Sequence, residues 1–276
     1  MKSSPMQSDP PHANASIAVK VGDLRKTVHG SVLCYPGNDL STFHDRIREL
    51  RSIGVSSLTL EGDSKIGRFG IAGKGCVSIV VKAALKSDKQ SLYALKIRRA
   101  DANRLSMERD YELQKFANSF GVGPKAVRAS ENFFLMEFVD AEKIGHWFQS
   151  LRTQTPKTLV RRLLRNCLHQ CFLLDVNHLD HGELSNPSKH ILLRRNGSQL
   201  TGESVVIDYE SASLERKPSN LTAAAQFFFF GNAQSAKIRR ILGLPASNRK
   251  IISLLREYKA GPSADSFERV MNFARC

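Results

Sequence analysis

The first part of the chain alternates short apolar runs with polar turns. Residues 31–35 predict a short strand, and residues 40–53 predict a helix, because their apolar positions recur at helical spacing. Gly54 follows that helix, where glycine commonly ends one. The run at 55–62 predicts another strand, so this region mixes strands with one helix.

The next apolar runs predict a β-hairpin followed by a second helix. Strands over 77–84 and 91–97 flank a polar turn, and the first of them begins in a glycine cluster. A helix is predicted over 106–120, and strands over 125–129 and 133–138 follow it. This half of the chain is therefore predicted to be rich in β structure.

The second half is predicted to be mostly helical. The polar segment 140–143 interrupts the apolar pattern and predicts a boundary between two lobes. Residues 158–177 predict a long amphipathic helix, 191–193 and 204–208 predict strands, and the chain from 219 onward predicts further helices. The long helix has one continuous apolar face, made of Leu159, Leu163, Leu164, Cys167, Leu168, Cys171 and Phe172. The whole pattern predicts an α+β protein.

Composition and charge narrow the class of protein. The 276 residues are 41% hydrophobic, which is enough for one large domain or two lobes with real cores. No apolar run approaches the ~20 residues that span a bilayer, so no membrane partner is expected. Residues 1–17 are polar and contain prolines, which predicts a disordered tail and a cytoplasmic protein. Five cysteines without paired spacing argue against a disulfide framework.

The chain carries a formal net charge of +15, and an excess of this size favours polyanionic partners. RNA or a ribosome-associated partner is one interpretation, and solvated helix faces are the other. No aromatic motif of the kind that stacks RNA bases is present. The charge therefore leaves the partner open.

The glycine cluster and the strand after it carry the first candidate chemistry. Residues 73–80, GKGCVSIV, have the form G-x-G-x-x-S-x-V, in which Gly73 and Gly75 let backbone N–H groups approach phosphates closely. Lys96 lies in the apolar strand YALKI, and an inward-facing lysine needs partner charges, which a phosphate and a carboxylate would supply.

The helix that follows offers the carboxylate. Asp110 shares a helical face with Leu113 and Ala117, so it is favoured over Glu108 as the partner of Lys96. The strand FFLMEFV ends in Met136, Glu137, Phe138 and Val139, where free backbone groups at a hinge could bind an adenine edge.

Two acidic residues in the second half complete the set. Glu183 lies in the segment 181–193, HGELSNPSKHILL, and Asp208 ends the strand SVVID. In order, the chain presents a glycine-rich hairpin, a strand lysine, an acidic helix, the M-E-F-V hinge, a long helix, H-G-E, and the strand ending in Asp208. This order resembles the protein-kinase signature set, and more narrowly the atypical RIO-like and archaeal predicted Ser/Thr kinases, over residues 66–230.

The resemblance implies a bilobal kinase-like fold. It implies an N-terminal α/β extension over 18–65, a β-rich N-lobe with one main helix over 66–139, and a shortened helical C-lobe over 140–276. It also implies that ATP and Mg²⁺ are the cofactors and that the substrate is a protein hydroxyl, including the chain's own. No A-P-E motif follows Asp208, which indicates that a conventional activation segment is missing.

The resemblance also assigns roles to residues. Lys96 would pair with the nucleotide phosphates, Asp208 would bind Mg²⁺, and Glu183 would be the catalytic-loop acid in place of the usual Asp. The second Mg²⁺ ligand stays open between Asn186 and His190, with a one-metal mechanism as the third option. The implied nucleotide-binding set is Gly73, Lys74, Gly75, Val80, Ala94, Lys96, Glu108, Asp110, Met136, Glu137 and Val139.

The expected function is an ATP-dependent serine/threonine kinase. One alternative is an RNA- or ribosome-linked ATPase switch on the same fold. The other is a basic pseudokinase that acts only as a binding module, which salt-dependent RNA binding without ATP turnover would favour.

Overall fold

The computed structural model describes residues 16–24, 28–231, 233–245 and 249–276. The tail predicted over 1–17 lies outside the described residues except for its last two. The chain divides into two compact units, Met1–Glu108 with Val127–Phe138 and Arg109–Ala126 with Val139–Cys276.

The described residues form a mixed α+β structure with mostly antiparallel sheets. The strands are β1 (Ile17–Lys20), β2 (Val55–Leu60), β3 (Ser64–Ile66), β4 (Phe69–Ile71), β5 (Gly73–Lys74), β6 (Ser78–Leu85), β7 (Tyr93–Arg98), β8 (Ala126–Ala129), β9 (Phe133–Glu137), β10 (Ala141–Lys143), β11 (Ile191–Asn196) and β12 (Gln199–Val206). The α-helices are α1 (Leu40–Ser52), α2 (Glu108–Asn118), α3 (Ile144–Ser150), α4 (Lys157–Val176), α5 (Asn220–Phe229), α6 (Ala233–Leu242), α7 (Arg249–Ala260) and α8 (Ala264–Ala274).

The first unit is built on a sheet of order β1-β2-β6-β7-β9-β8, with β5 paired to β6. Helix α1 begins at Leu40, where the Asp39 side chain accepts a hydrogen bond from the Thr42 N–H and satisfies one of the free donors of the first turn. Its apolar face buries Phe43, Ile47 and Leu50 in the core that also holds the inner side of the sheet. The predicted helix over 40–53 is therefore confirmed.

The strand predicted over 31–35 is wrong. Residues Val28–Cys34 form a 3-10 helix, and the consecutive side chains of Val32, Leu33 and Cys34 are all buried. The buried Arg46 donates to the carbonyl of Leu33, to that of Arg98 at 2.7 Å and to Oδ1 of Asn132 at 2.9 Å. The Leu33 carbonyl therefore accepts from Arg46 and not from a neighbouring strand, and this tertiary contact overrides the local strand preference.

The central strands of the first unit have two different faces. One face contributes to the core shared with α1, through Ile79, Val81, Leu95, Ile97, Phe133 and Leu135. The opposite face carries Val80, Lys82, Ala94, Lys96, Phe134 and Met136, since side chains alternate along each strand. The candidate nucleotide-binding residues of these strands therefore lie on the face opposite α1.

The second unit combines the sheet β10-β11-β12 with helices around α4. Helix α4 buries Leu163, Leu164, Cys167, Leu168 and Cys171, as its apolar face predicts, and it packs on β12. Burial raises the pKa of the Cys167 thiol to about 12 and that of Cys171 well above its usual value, so both thiols are neutral core groups. No helix among the described residues is long and apolar enough to cross a membrane.

Candidate functional site

Helix α4 fixes the strand that leads to Asp208. The Gln170 side chain donates to the carbonyl of Ser204 at 2.7 Å and accepts from the N–H of Val206 at 3.1 Å. Asn166, one turn earlier, accepts from the N–H of Ser204 at 2.8 Å. These amides replace a neighbouring strand along this edge of β12, so the end of the strand is rigidly placed.

Asp208 has a backbone conformation that is unusual for its residue type. Its φ is 75°, in the left-handed region that costs most residues other than glycine free energy. The flanking residues hold it there: the N–H of Ile207 donates to the carbonyl of His190 at 2.9 Å, and Tyr209 is buried. Strain that is maintained on both sides is typical of a functional position.

His181 anchors the start of the loop that carries Glu183. The ring is fully buried, and its Nε2 lies 3.0 Å from the carbonyl of Ile207. A carbonyl only accepts hydrogen bonds, so Nε2 carries the proton. Burial lowers the pKa of His181 to about 4, so the ring is neutral at pH 7.

A buried polar cluster fixes the same loop from the other side. Asn220, the first residue of α5, accepts from the N–H of His181 at 2.9 Å and donates to Asp175 at 2.9 Å and to the carbonyl of Leu179 at 2.8 Å. Asp175 also accepts from the hydroxyl of Tyr258 at 2.9 Å. Burial raises the pKa of Asp175, and four hydrogen bonds from backbone and side chains act in the opposite direction.

Gly182 is required by the path of the loop. Its φ is +85°, and a Cβ placed there would lie 2.9 Å from the carbonyl oxygen of Ser211. The H-G-E sequence therefore contains glycine because the segment after Asp208 passes directly over it.

Glu183, His190 and Asp208 converge in the second unit. Nε2 of His190 lies 2.7 Å from Oε2 of Glu183, and Nδ1 of His190 lies 3.9 Å from Oδ2 of Asp208. The second oxygen of Glu183, Oε1, accepts from the hydroxyl of Ser211 at 2.7 Å. The imidazole thus lies between the two carboxylates that the sequence singled out.

The residues between Glu183 and His190 form two successive turns. The N–H of Asn186 donates to the carbonyl of Glu183 at 3.2 Å, and the N–H of His190 donates to that of Pro187 at 3.0 Å. Asn186 is exposed. Among the described residues, no group of three or more His, Cys, Asp or Glu side chains is arranged to hold a metal ion. Mg²⁺ sites commonly combine one or two carboxylates with water and substrate phosphate oxygens, so the Asp208 carboxylate is the kind of donor that this ion prefers.

The first unit groups its own candidate residues by strand register. Gly73 is paired with Val80, and Val80 with Lys96; on the next rung Ala94 is paired with Met136. Directly paired residues point to the same face of a sheet, so all five belong to the face opposite α1. Lys96 is only 6% exposed, which rules out a lysine that simply points to solvent.

The glycine-rich stretch closes in a tight turn. The N–H of Gly75 donates to the carbonyl of Ser78 at 2.8 Å, and the Arg99 guanidinium donates to the carbonyl of Gly75 at 3.1 Å. Lys74 is exposed, with Nζ 4.9 Å from the centre of the Tyr35 ring. Lys74 therefore lies directly before the Gly75–Ser78 turn, at the end of the sheet of the first unit.

The candidate carboxylates of α2 differ in burial. Asp110 is 1% exposed and lies on the buried face with Leu113 and Ala117, whereas Glu108 is exposed. Lys96 belongs to the first unit and Asp110 to the second, so their pairing stays a prediction. The division between the units also falls between Phe138 and Val139, within the predicted hinge.

Sequence reasoning missed Asp175, Asn220 and Ser211. The one available signal is that Asp175 interrupts the apolar end of α4, where a buried carboxylate needs donors. Its donors are Asn220, Leu221 and Tyr258, which lie 45 to 83 residues further along the chain, so no local pattern reveals them.

Comparison with known proteins finds no family model that matches the chain, and no curated protein matches it in sequence. The interpretation of the site therefore depends on its own geometry.

Proposed function

We propose that the chain is an ATP- and Mg²⁺-dependent phosphotransferase with a bilobal kinase-like fold, acting on serine or threonine hydroxyls. The observation that carries the proposal is the convergence of Glu183 and Asp208 on His190, with Asp208 held in a left-handed conformation at the end of β12. The shared strand face of Gly73, Val80, Ala94, Lys96 and Met136 is the second support.

Each residue has a distinct role in this proposal. Lys96 orients the nucleotide phosphates, since a buried ammonium needs anionic partners. Glu183 orients the acceptor hydroxyl and takes its proton. His190 positions Glu183 through the 2.7 Å contact, and Ser211 does so from the other oxygen.

The site offers Mg²⁺ one carboxylate ligand. Asp208 supplies the hard carboxylate oxygen that Mg²⁺ prefers, with phosphate oxygens and water as the remaining ligands. His190 contacts Glu183 through Nε2 and faces Asp208 through Nδ1, so the second ligand stays open between Asn186, His190 and a one-metal site. Bound Mg²⁺ would neutralise charge on the transferred phosphoryl group.

One observation favours the pseudokinase as the second candidate. Both oxygens of Glu183 are engaged by protein groups, so an acceptor hydroxyl has to displace Ser211 or share Oε1 with it. A chain in which that exchange fails would bind nucleotide without transferring phosphate.

Asp208→Asn tests the nucleotide site. Calorimetry should show that the substitution abolishes Mg²⁺-dependent ATP binding while the melting temperature of the free protein stays nearly unchanged. Asp265→Asn, an exposed carboxylate on α8, is the matched control and should bind as the wild type does. Equal Mg²⁺-dependent binding by wild type and Asp208→Asn would remove Asp208 from the site.

A further inference from the structure

The positive charge of the chain is concentrated in two segments. Residues 143–174 contain six Lys and Arg, residues 216–256 contain eight, and neither segment contains an Asp or a Glu. Fourteen of the 41 cationic residues and none of the 26 acidic ones therefore lie there, which leaves 27 cations against 26 acids elsewhere. The two segments therefore carry a charge of +14, and both belong to the second unit.

Residues from both segments line one concave pocket. Its walls come from the loop after α3 and from α6, and it encloses about 280 Å³. The charged residues that line it are Arg152, Lys237 and Arg240, and no Asp or Glu is among the lining residues. Within the described residues, none of these three cations has a carboxylate within ion-pairing distance, in contrast to Arg165 and Arg269 of the same unit.

The pocket is also built to hold its charge in place. Leu151 and Ile241 are buried and form apolar parts of its lining. The Arg152 guanidinium donates through Nη1 to the carbonyls of Gln149 at 2.9 Å and Leu151 at 3.1 Å, which fixes it on the rim. The Arg152 side chain should lose little further conformational entropy when an anion binds, because those two hydrogen bonds already order it.

We propose that this pocket binds the backbone phosphates of a single-stranded nucleic acid. Two guanidinium groups and an ammonium without carboxylate neighbours are a phosphate-binding set, because arginine matches phosphate oxygens bidentately. A concavity of about 280 Å³ takes one or two phosphates with their sugars, which a flexible strand can insert more easily than a stiff duplex. No aromatic residue lines the pocket, so bases are not stacked there and binding is independent of sequence.

The test is a salt titration of binding to a fluorescently labelled 12-nucleotide uridine RNA, measured by anisotropy without ATP. The variant replaces Arg152, Lys237 and Arg240 by Gln. The control replaces Lys65, Lys86 and Lys89 by Gln, which are exposed, lie outside the two segments and give the same change in charge. All six side chains are exposed. Thermal melting checks that both variants fold.

The pocket variant should lose at least about tenfold in affinity at low salt, and the slope of log K against log salt should fall by about 2, since each lost single-strand phosphate contact removes ~0.7. The control should keep the wild-type slope. Equal slopes for the two variants, or absence of RNA binding by the wild type, would overturn the proposal. Displacement of the RNA by polyglutamate at equal charge concentration would also overturn it, because the pocket would then accept any polyanion.

This experiment is independent of the phosphotransferase proposal. RNA binding is measured without nucleotide, and none of the substituted residues belongs to the candidate active site. A failure of either proposal therefore leaves the other standing.

Discussion

At the scale of single residues, the proposed phosphoryl transfer depends on the environment of Glu183. Glu183→Gln keeps the shape and the hydrogen bond from Ser211 but removes the charge, so kcat should fall by ~10²–10⁴-fold while ATP affinity holds. Glu183→Asp should also lower activity, because the shorter side chain does not reach His190 and Ser211 together.

Autophosphorylation rates and ATP affinities of both variants decide this point. Glu183→Gln with wild-type activity would show that Glu183 only stiffens the loop. Higher activity of Glu183→Asp would show that the loop is built for an aspartate.

Lys96 provides a second test at the residue scale. Lys96→Ala should lower phosphoryl transfer by roughly 10²-fold or more, since a preorganised charge aimed at the phosphates is lost. Lys86→Ala, an exposed lysine at the end of the same hairpin, should leave the rate unchanged. A folded Lys96→Ala protein with an unaltered rate would exclude Lys96 from nucleotide binding.

His181 makes a prediction about pH and stability. Its pKa is lowered from 6.5 to about 4, so the unfolded chain binds a proton between these values and the folded protein does not. The contribution of neutral His181 to the free energy of unfolding is complete above pH 6.5 and is lost as the pH falls toward 4. The loss should be about 3 kcal/mol.

Urea unfolding at pH 7 and pH 4 measures this difference. His181→Gln retains a donor for the Ile207 carbonyl and does not titrate, so it should lose about 3 kcal/mol less than the wild type over this interval. A wild-type loss equal to that of the variant would mean that His181 is not kept neutral by the fold.

At the scale of elements, α5 is tied to the loop before β11 through one side chain. Asn220→Ala removes the acceptor for the His181 N–H and one donor to Asp175, which leaves buried groups unpaired. The free energy of unfolding should fall by about 1–3 kcal/mol. Asn272→Ala, on the exposed face of α8, is the control and should change it by less than ~0.5 kcal/mol. Equal changes in the free energy of unfolding for the two substitutions would show that the Asp175–Asn220 cluster does not stabilise the fold.

The elements themselves were largely predictable, because their patterns are local. Alternation in β6 and the apolar faces of α1 and α4 follow from spacing alone. Residues 31–35 failed because Arg46, a residue of the following helix, takes the Leu33 carbonyl. A five-residue apolar run is too short to determine its secondary structure when a tertiary contact favours a different one.

The candidate site also has a part that local sequence patterns predict and a part that they do not. Asp208 and Glu183 stand out in the sequence, since each follows a recognisable strand or loop pattern. The contact between His190 and Glu183, and the Asp175–Asn220 cluster, depend on how loops fold back in space. Composition and spacing contain no record of such contacts.

At the scale of the whole molecule, charge and candidate chemistry are distributed unevenly. The two acid-free segments lie in the second unit, which also holds Glu183, His190 and Asp208. Outside those segments, the first unit has 18 Lys and Arg against 12 Asp and Glu, and the rest of the second unit has 9 against 14. The two segments differ from the rest of the chain because their 14 cations have no acidic residue among them, so a polyanion should bind there.

The central claim is that the chain transfers the γ-phosphoryl group of ATP to a hydroxyl. The most direct measurement is incorporation of labelled phosphate from γ-labelled ATP into the purified protein, with ADP followed in parallel, in Mg²⁺ and in chelator. We predict Mg²⁺-dependent label on serine or threonine, formed together with ADP and abolished by Glu183→Gln. ADP without labelled protein would indicate the ATPase switch, and bound ATP that is never consumed would indicate the pseudokinase; either result would contradict the claim.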